Sequence, residues 1–148
     1  MRYLTNHDLV WINYTVTGRK YPFSYAALEA AMAAQYTYLS KQSPLDLASA
    51  LMRKLITDSP FAQGNRRTAF VAAMVFLEAN GFSTHDDALL MSKTLLAIEP
   101  AGSDSKQDLE VVKPSENSHF PHTSSLREIV SHVCTRYSDA LRVMALDA

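Results

Sequence analysis

The densest apolar run in the chain lies at positions 69–77 and contains no polar residue. A helix that is apolar on every side is typical of the centre of a core, and this run is too short to cross a bilayer. Asn80 and Gly81 follow it, and glycine often ends a helix in the left-handed conformation. The pattern predicts a buried central helix that begins near Asn65.

Helix start signals recur along the rest of the chain. Thr5 and Asp8 are spaced as a capping box, Ser24 and Ser125 each precede apolar residues spaced by three and four, and Ser43 precedes Pro44. With a further capping segment at positions 84–87, these signals predict helices that begin near Asn6, Tyr25, Pro44, Asn65, His85 and Leu126. The last helix is expected to continue to Met144. The predicted fold class is all-α: a compact bundle of about six helices around the buried one, forming a single domain over residues 1–148.

Residues 100–122 interrupt this pattern with a polar, irregular composition. The segment is long for a connection inside a compact domain, so we expect it to be either mobile or functional. His119 and His122 lie within it. Because two histidines do not complete a zinc site, they are interpreted as solvated loop residues.

Composition narrows the class of protein. The chain has 148 residues, is 47% hydrophobic, and carries 14 Lys and Arg against 15 Asp and Glu. The net charge of −1 gives no overall field that would attract nucleic acid. No run approaches the length of a membrane span, and the N-terminus lacks the apolar core of a signal peptide. With its single cysteine, Cys134, the composition favours a cytoplasmic protein.

The loop before the central helix has the chemistry of an anion site. Its last residues are Gln63 and Gly64, followed by Asn65, Arg66 and Arg67 at the start of the helix. The first N–H groups of a helix have no intrahelical partner and carry partial positive charge. Two guanidinium groups beside them are suited to phosphate oxygens. We expect residues 64–67 to line a phosphate-binding pocket.

The same stretch resembles a known signature. The family pattern of the Fic/Doc (Fido) proteins is H-x-F-x-[D/E/N]-[G/A]-N-[G/K]-R, and Phe61, Gly64, Asn65 and Arg67 match it, most closely in the death-on-curing (Doc) branch. Arg66 stands where the pattern has Gly or Lys, and two further departures matter most for the chemistry. Ser59 stands where the family has its catalytic histidine, and Gln63 stands where it has the acidic or Asn residue associated with the metal ion.

The resemblance implies a compact helical fold and a nucleotide-dependent transferase. In the family, the residues at the positions of Asn65 and Arg67 hold the nucleotide phosphates. Arg66 is similar to the Lys of Doc, which is associated with transfer of the γ-phosphoryl group instead of AMP. The implied cofactor is ATP or another nucleotide with Mg²⁺. Doc is the toxin of a toxin–antitoxin pair and modifies elongation factor Tu, so the implied partners are a small antitoxin and a protein of the translation machinery. Residues 19–23 correspond to the flap that docks the target.

The two departures bear on catalysis. The family histidine takes the proton from the attacking hydroxyl, and a serine hydroxyl cannot accept it at neutral pH. Ser59 is therefore expected to be a loop or capping hydroxyl that accepts a bond from a nearby N–H, with Asp58 as an alternative base. The amide oxygen of Gln63 can ligate Mg²⁺, but it brings no charge to balance the ion.

Three hypotheses follow from the sequence. The chain is a Doc-like toxin with impaired transfer activity, a catalytically degenerate Fido domain that still binds a nucleotide, or a helical module that binds a partner in the old site.

Overall fold

The buried helix predicted from the apolar run is the centre of the fold. The computed structural model describes residues 2–35, 44–81 and 125–145. Within these ranges there are six helices: α1 Asn6–Thr17, α2 Tyr25–Ala33, α3 Pro44–Asp58, α4 Asn65–Ala79, α5 Leu126–Arg136 and α6 Ser138–Met144. Helix α4 contacts α1, α3, α5 and α6, and every residue of the run at positions 69–77 is buried. The all-α fold class is confirmed.

The predicted caps explain where the helices begin. Thr5 and Asp8 form the capping box of α1, with the Asp8 N–H donating to Thr5 Oγ1 at 3.2 Å and the Thr5 N–H donating to Asp8 Oδ2 at 2.8 Å. The hydroxyl of Ser24 caps α2, and that of Ser125 caps α5. Each of these signals acts within four residues, which is why the sequence predicts the helix starts closely. The helix expected near His85 and the segment 100–122 lie outside the described residues.

The last helix was predicted to be continuous, and this detail is wrong. Tyr137 leaves helical geometry at φ −106° and ψ 25°, so that α5 ends at Arg136 and α6 begins at Ser138. The Tyr137 ring is buried and meets the Phe70 ring of α4 edge-on, with ring centroids 5.1 Å apart. The break lets this ring pack into the core while the apolar face continues to Met144, which is also buried.

None of the helices within the described ranges has the length and apolarity needed to span a membrane. The one β-type pairing in the same ranges is an isolated antiparallel bridge between Phe23 and Phe61. The Ser24 N–H donates to the Pro60 carbonyl at 2.8 Å, and the Ala62 N–H donates to the Pro22 carbonyl at 3.0 Å. This bridge joins the connection between α1 and α2 to the loop before α4.

Candidate functional site

The site begins at the end of α3, where Ser59 stops the helix. Ser59 has a left-handed backbone with φ +45°, its N–H donates to the Leu55 carbonyl at 3.2 Å, and its Oγ donates to the Ile56 carbonyl at 3.1 Å. The residue therefore satisfies two carbonyl groups of the last turn of α3. The hydroxyl was expected to accept a bond from an N–H, and it donates one instead. This arrangement gives Ser59 a capping role in the fold.

Asp58, the alternative base, is paired with a cation of its own helix. Its carboxylate lies 2.9 Å from Lys54 Nζ, one turn earlier, and both side chains are partly exposed. Exposed pairs of this spacing contribute only a few tenths of a kcal/mol, so the pair does not fix Asp58 strongly. Its role as a base stays a prediction.

Asn65 closes the loop that follows. Its Oδ1 accepts from the Phe61 N–H at 2.9 Å, and its Nδ2 donates to the Phe61 carbonyl at 2.8 Å. Both ends of the amide thus bind one backbone unit, while that unit is held on its other side by the bridge to Phe23. The loop is fixed by Asn65 from within and by the connection between α1 and α2 from outside. The phosphate contact implied for Asn65 stays a prediction.

Gly64 occupies the N-cap of α4, where a larger residue does not fit. Its φ is +80°, a conformation that glycine adopts without strain. A Cβ atom at this position would collide with Thr17 Cγ2 and would lie 3.2 Å from Asn13 Nδ2. Glycine also has no side chain with which to cap the helix, so the amide groups of the first turn of α4 are not covered by their own N-cap residue. The anion site predicted from the sequence rests on this feature.

Asn13 connects α1 to this loop and was not predicted from the sequence. The residue is 2% exposed, and its Nδ2 donates to the Gln63 carbonyl at 2.9 Å and to Thr68 Oγ1 at 3.0 Å. A buried polar group must be bonded to avoid a large desolvation cost. The one feature of the sequence that could have indicated a buried polar residue is the position of this asparagine, directly after Ile12 and next to the buried face of α1. Its partners are too distant along the chain for a local pattern to reveal.

The two arginines of the first turn of α4 have different surroundings. Arg67 Nη1 donates to the Val16 carbonyl in the last turn of α1 at 2.8 Å, and that turn contains no basic residue. Arg67 therefore supplies the cation that stabilises the negative end of the α1 dipole. Arg66 is also half-buried. Both arginines thus belong to the first turn of α4, directly after the buried N-cap Gly64.

The described residues do not fit a resident metal ion. Gln63 is exposed, and the bond that links it to Asn13 uses its backbone carbonyl. Across residues 2–35, 44–81 and 125–145, no three His, Cys, Asp or Glu side chains are grouped as a metal site requires. An Mg²⁺ ion here would depend on the phosphates of a bound nucleotide for its negative charge.

A cavity of about 550 Å³ lies against α1 and reaches the base of the loop; we call it the α1 cavity. The residues that line it are His7, Val10, Trp11, Asn13, Tyr14, Arg19, Lys20, Tyr21, Phe23, Phe61 and Arg127. Residues 64–67, which were expected to line a phosphate pocket, are not part of its lining. Asn13 and Phe61 belong both to its wall and to the contacts that fix the loop. The cavity and the amide end of α4 are thus neighbouring features that share two residues.

Comparison with known proteins addresses the part of the chain that contains this site. Residues 11–77 match the family model described as the Fic/DOC family. The Fic/DOC match extends from Trp11 in α1 to Leu77 in α4 and includes the whole loop. It supports the Fido family predicted from the motif, and the helical architecture agrees with it. No curated protein and no solved structure matches the chain.

Proposed function

We propose that this protein is a Doc-like Fido domain that binds a nucleotide, ATP or a related one, through its phosphates at the N-terminus of α4. The observation that carries the proposal is the helix start itself. Its N-cap is Gly64 in a left-handed conformation, and its first turn carries Arg66 and Arg67. Amide groups, helix dipole and two cations all favour a phosphate at this end. A bound nucleotide would bring its own Mg²⁺.

We further propose that phosphoryl or AMP transfer to a protein hydroxyl is slow. The attacking oxygen must lose its proton as the new bond to phosphorus forms, and Ser59 stands at the position of the family base. Its hydroxyl already donates to the Ile56 carbonyl and has no basic nitrogen to offer. General bases contribute about 10²–10⁴ in rate, and we expect a deficit of that order.

The biological setting that fits a Doc-like protein is a toxin–antitoxin pair. The partner would be a small antitoxin, and the target would be a protein of the translation machinery. A short reading frame that encodes an antitoxin and lies beside the gene for this protein would support this setting. The direct measurement is cell growth: expression of this protein should arrest it, and co-expression of the product of that reading frame should restore it.

A second function is favoured by the capping role of Ser59. A residue that holds the end of α3 with two hydrogen bonds serves the fold without any catalytic use. The domain then binds a nucleotide or a protein partner and transfers nothing. Where the ligand is a nucleotide, the two functions share the phosphate site and differ only in whether a group is transferred.

Phosphate binding is tested by titration of ATP and of inorganic phosphate into the full-length protein. Arg66→Gln should weaken binding of ATP by about tenfold, the effect of one lost charge-assisted contact. Arg142→Gln removes the same charge from the exposed surface of α6 and should change nothing. Arg67→Gln would in addition remove the bond to the Val16 carbonyl, which joins α4 to α1. Equal affinity of wild type and Arg66→Gln would exclude the phosphate site and leave the partner-binding module.

Transfer is tested with ATP labelled in separate reactions at the α and γ positions, in a cell lysate. Wild-type protein should transfer little label, and Ser59→His should transfer about 10²–10⁴-fold more, the range of a general base. Histidine is among the residues that tolerate a left-handed backbone, so the substitution suits the conformation of Ser59. Efficient transfer by wild type would show that another base acts, with Asp58 the first residue to replace. If neither protein transfers label while both bind ATP, the binding function stands.

A further inference from the structure

The α1 cavity has aromatic walls. Trp11 and Tyr14 lie on α1 with ring centroids 6.1 Å apart, and Phe23 contributes a ring that is 44% exposed. Contiguous aromatic surface in a concave place is typical of a ligand-binding site. The volume of about 550 Å³ lies within the usual range of small-molecule sites.

The cavity is also positively charged. Arg19, Lys20 and Arg127 line it, and none of its described lining residues is acidic. Within the described ranges, none of these three cations forms an ion pair with a carboxylate. The Arg127 guanidinium instead lies over the Trp11 ring, 4.2 Å from its centroid. A guanidinium that stacks on an aromatic face keeps its edge N–H groups available for an anion.

We propose that the α1 cavity binds a small organic anion with a planar aromatic body. The ring would pack against Trp11 and Phe23, and its acidic group would be held by Arg127 together with Arg19 or Lys20. This combination of a few convergent polar groups with apolar walls is what gives a ligand pocket both affinity and orientation. The site differs from the proposed phosphate site at α4, because residues 64–67 are not in its lining.

The observations favour a small molecule over a macromolecule. Three parts of the chain converge on the cavity and form a concave wall: α1, the connection at positions 19–23, and the start of α5. Nucleic acid would need a broad basic surface, whereas the whole chain has a net charge of −1. An acidic peptide is the competing occupant, and the experiment separates it from a small ligand.

The protein contains its own reporter for this test, since Trp11 is the single tryptophan of the chain and lines the cavity. The probes are anilinonaphthalene sulfonate and phenylnaphthylamine, which share an aromatic body and differ in the sulfonate charge. We expect saturable quenching of Trp11 emission, with energy transfer to the sulfonate probe and at least about tenfold tighter binding of the charged probe. Excess inorganic phosphate should not displace it.

Two variants decide whether the cations of the cavity are responsible. Arg127→Met keeps an apolar stem over Trp11 and should weaken binding of the sulfonate probe by about tenfold, and Lys20→Met should act in the same direction. Arg142→Met, in α6, is the matched control and should bind as wild type. Circular dichroism and urea midpoints confirm that each variant is folded. Arg66→Gln should lower phosphate affinity and leave the probe unaffected, so that the two sites are tested separately.

Equal affinity for the charged and uncharged probes would overturn the proposal, as would unchanged binding in both Arg127→Met and Lys20→Met. Quenching of Trp11 by a short acidic peptide at concentrations where the sulfonate probe gives none would also overturn it. That result would identify a peptide groove instead.

Discussion

Replacing Gly64 by alanine should disrupt the loop for two reasons that can be measured separately. The first is backbone strain, because φ is +80° and an L-residue with a Cβ pays about 1–2 kcal/mol in the left-handed region. The second is steric, because the new Cβ would collide with Thr17 Cγ2 and press on Asn13 Nδ2 at 3.2 Å. Overpacking in a fixed environment costs about 1–3 kcal/mol. The expected total loss of unfolding free energy is about 2–5 kcal/mol.

Gly18 provides a matched control. Its φ is +75°, yet a Cβ there would meet nothing within 4 Å. Gly18→Ala should therefore lose only the backbone part, about 1–2 kcal/mol. The difference between the two variants isolates the close approach of α1 to Gly64. For a chain of this size, the full loss at Gly64 corresponds to a fall in melting temperature of roughly 2–4 °C per kcal/mol.

Thr17→Ser should rescue Gly64→Ala. Serine lacks the Cγ2 methyl group that causes the collision but keeps the hydroxyl, which donates to the Asn13 carbonyl at 2.7 Å. Urea denaturation of the wild type, both single variants and the double variant gives the coupling between the two positions. We expect the double variant to recover about 1 kcal/mol or more. Equal losses for Gly64→Ala and Gly18→Ala, with no recovery, would falsify the proposed close approach.

Two further substitution experiments and one labelling experiment test other features. Ser59→Gly should be more stable than Ser59→Ala by about 1 kcal/mol in urea denaturation, because both lose the bond to the Ile56 carbonyl and only glycine relieves the left-handed strain; equal midpoints would contradict this. Arg136→Met should lower the unfolding free energy, because it removes the guanidinium that lies 3.5 Å from the fully buried Glu78 carboxylate, and adding Glu78→Gln should recover part of the loss; no recovery in the double variant would contradict this. Burial raises the pKa of the Cys134 thiol from 9.0 to about 11. Alkylation by iodoacetamide should therefore be about 100-fold slower in the folded protein than in urea, and it should accelerate as the pH rises towards that pKa. Equal alkylation rates in the folded and unfolded protein would show that the thiol is not buried.

The sequence predicted the parts of the fold that are encoded locally. A capping box needs residues only three positions apart, and the apolar run at positions 69–77 identifies the central helix without reference to the rest of the chain. The prediction of an anion site at α4 uses the same kind of local information, since an amide end, a glycine and two arginines are neighbours in sequence.

The remaining features depend on residues that are distant along the chain. The bond from Asn13 to the Gln63 carbonyl joins positions 50 residues apart, and that from Arg67 to the Val16 carbonyl joins positions 51 apart. The α1 cavity likewise combines α1 with Arg127 of α5. Hydrophobic periodicity indicates which face of a helix is buried, but it does not identify the partner. The break at Tyr137 was also missed, and the ring of this residue packs against Phe70 on another helix, a contact that periodicity does not reveal.

The N-terminal segment has a consequence for synthesis. Arg2 exchanges two hydrogen bonds with the side chain of Asn80, with its N–H donating at 2.7 Å and its carbonyl accepting at 2.9 Å, across 78 positions. Elongation at about 5–20 residues per second separates the emergence of these two residues from the ribosome by roughly 4–16 s. During that interval Leu9 and Ile12, both fully buried in the finished protein, have no α4 to pack against. For seconds, therefore, α2 is the one helix among the described partners of α1 that has already emerged, and the buried face of α1 stays incompletely covered until the loop at Gly64 and α4 follow.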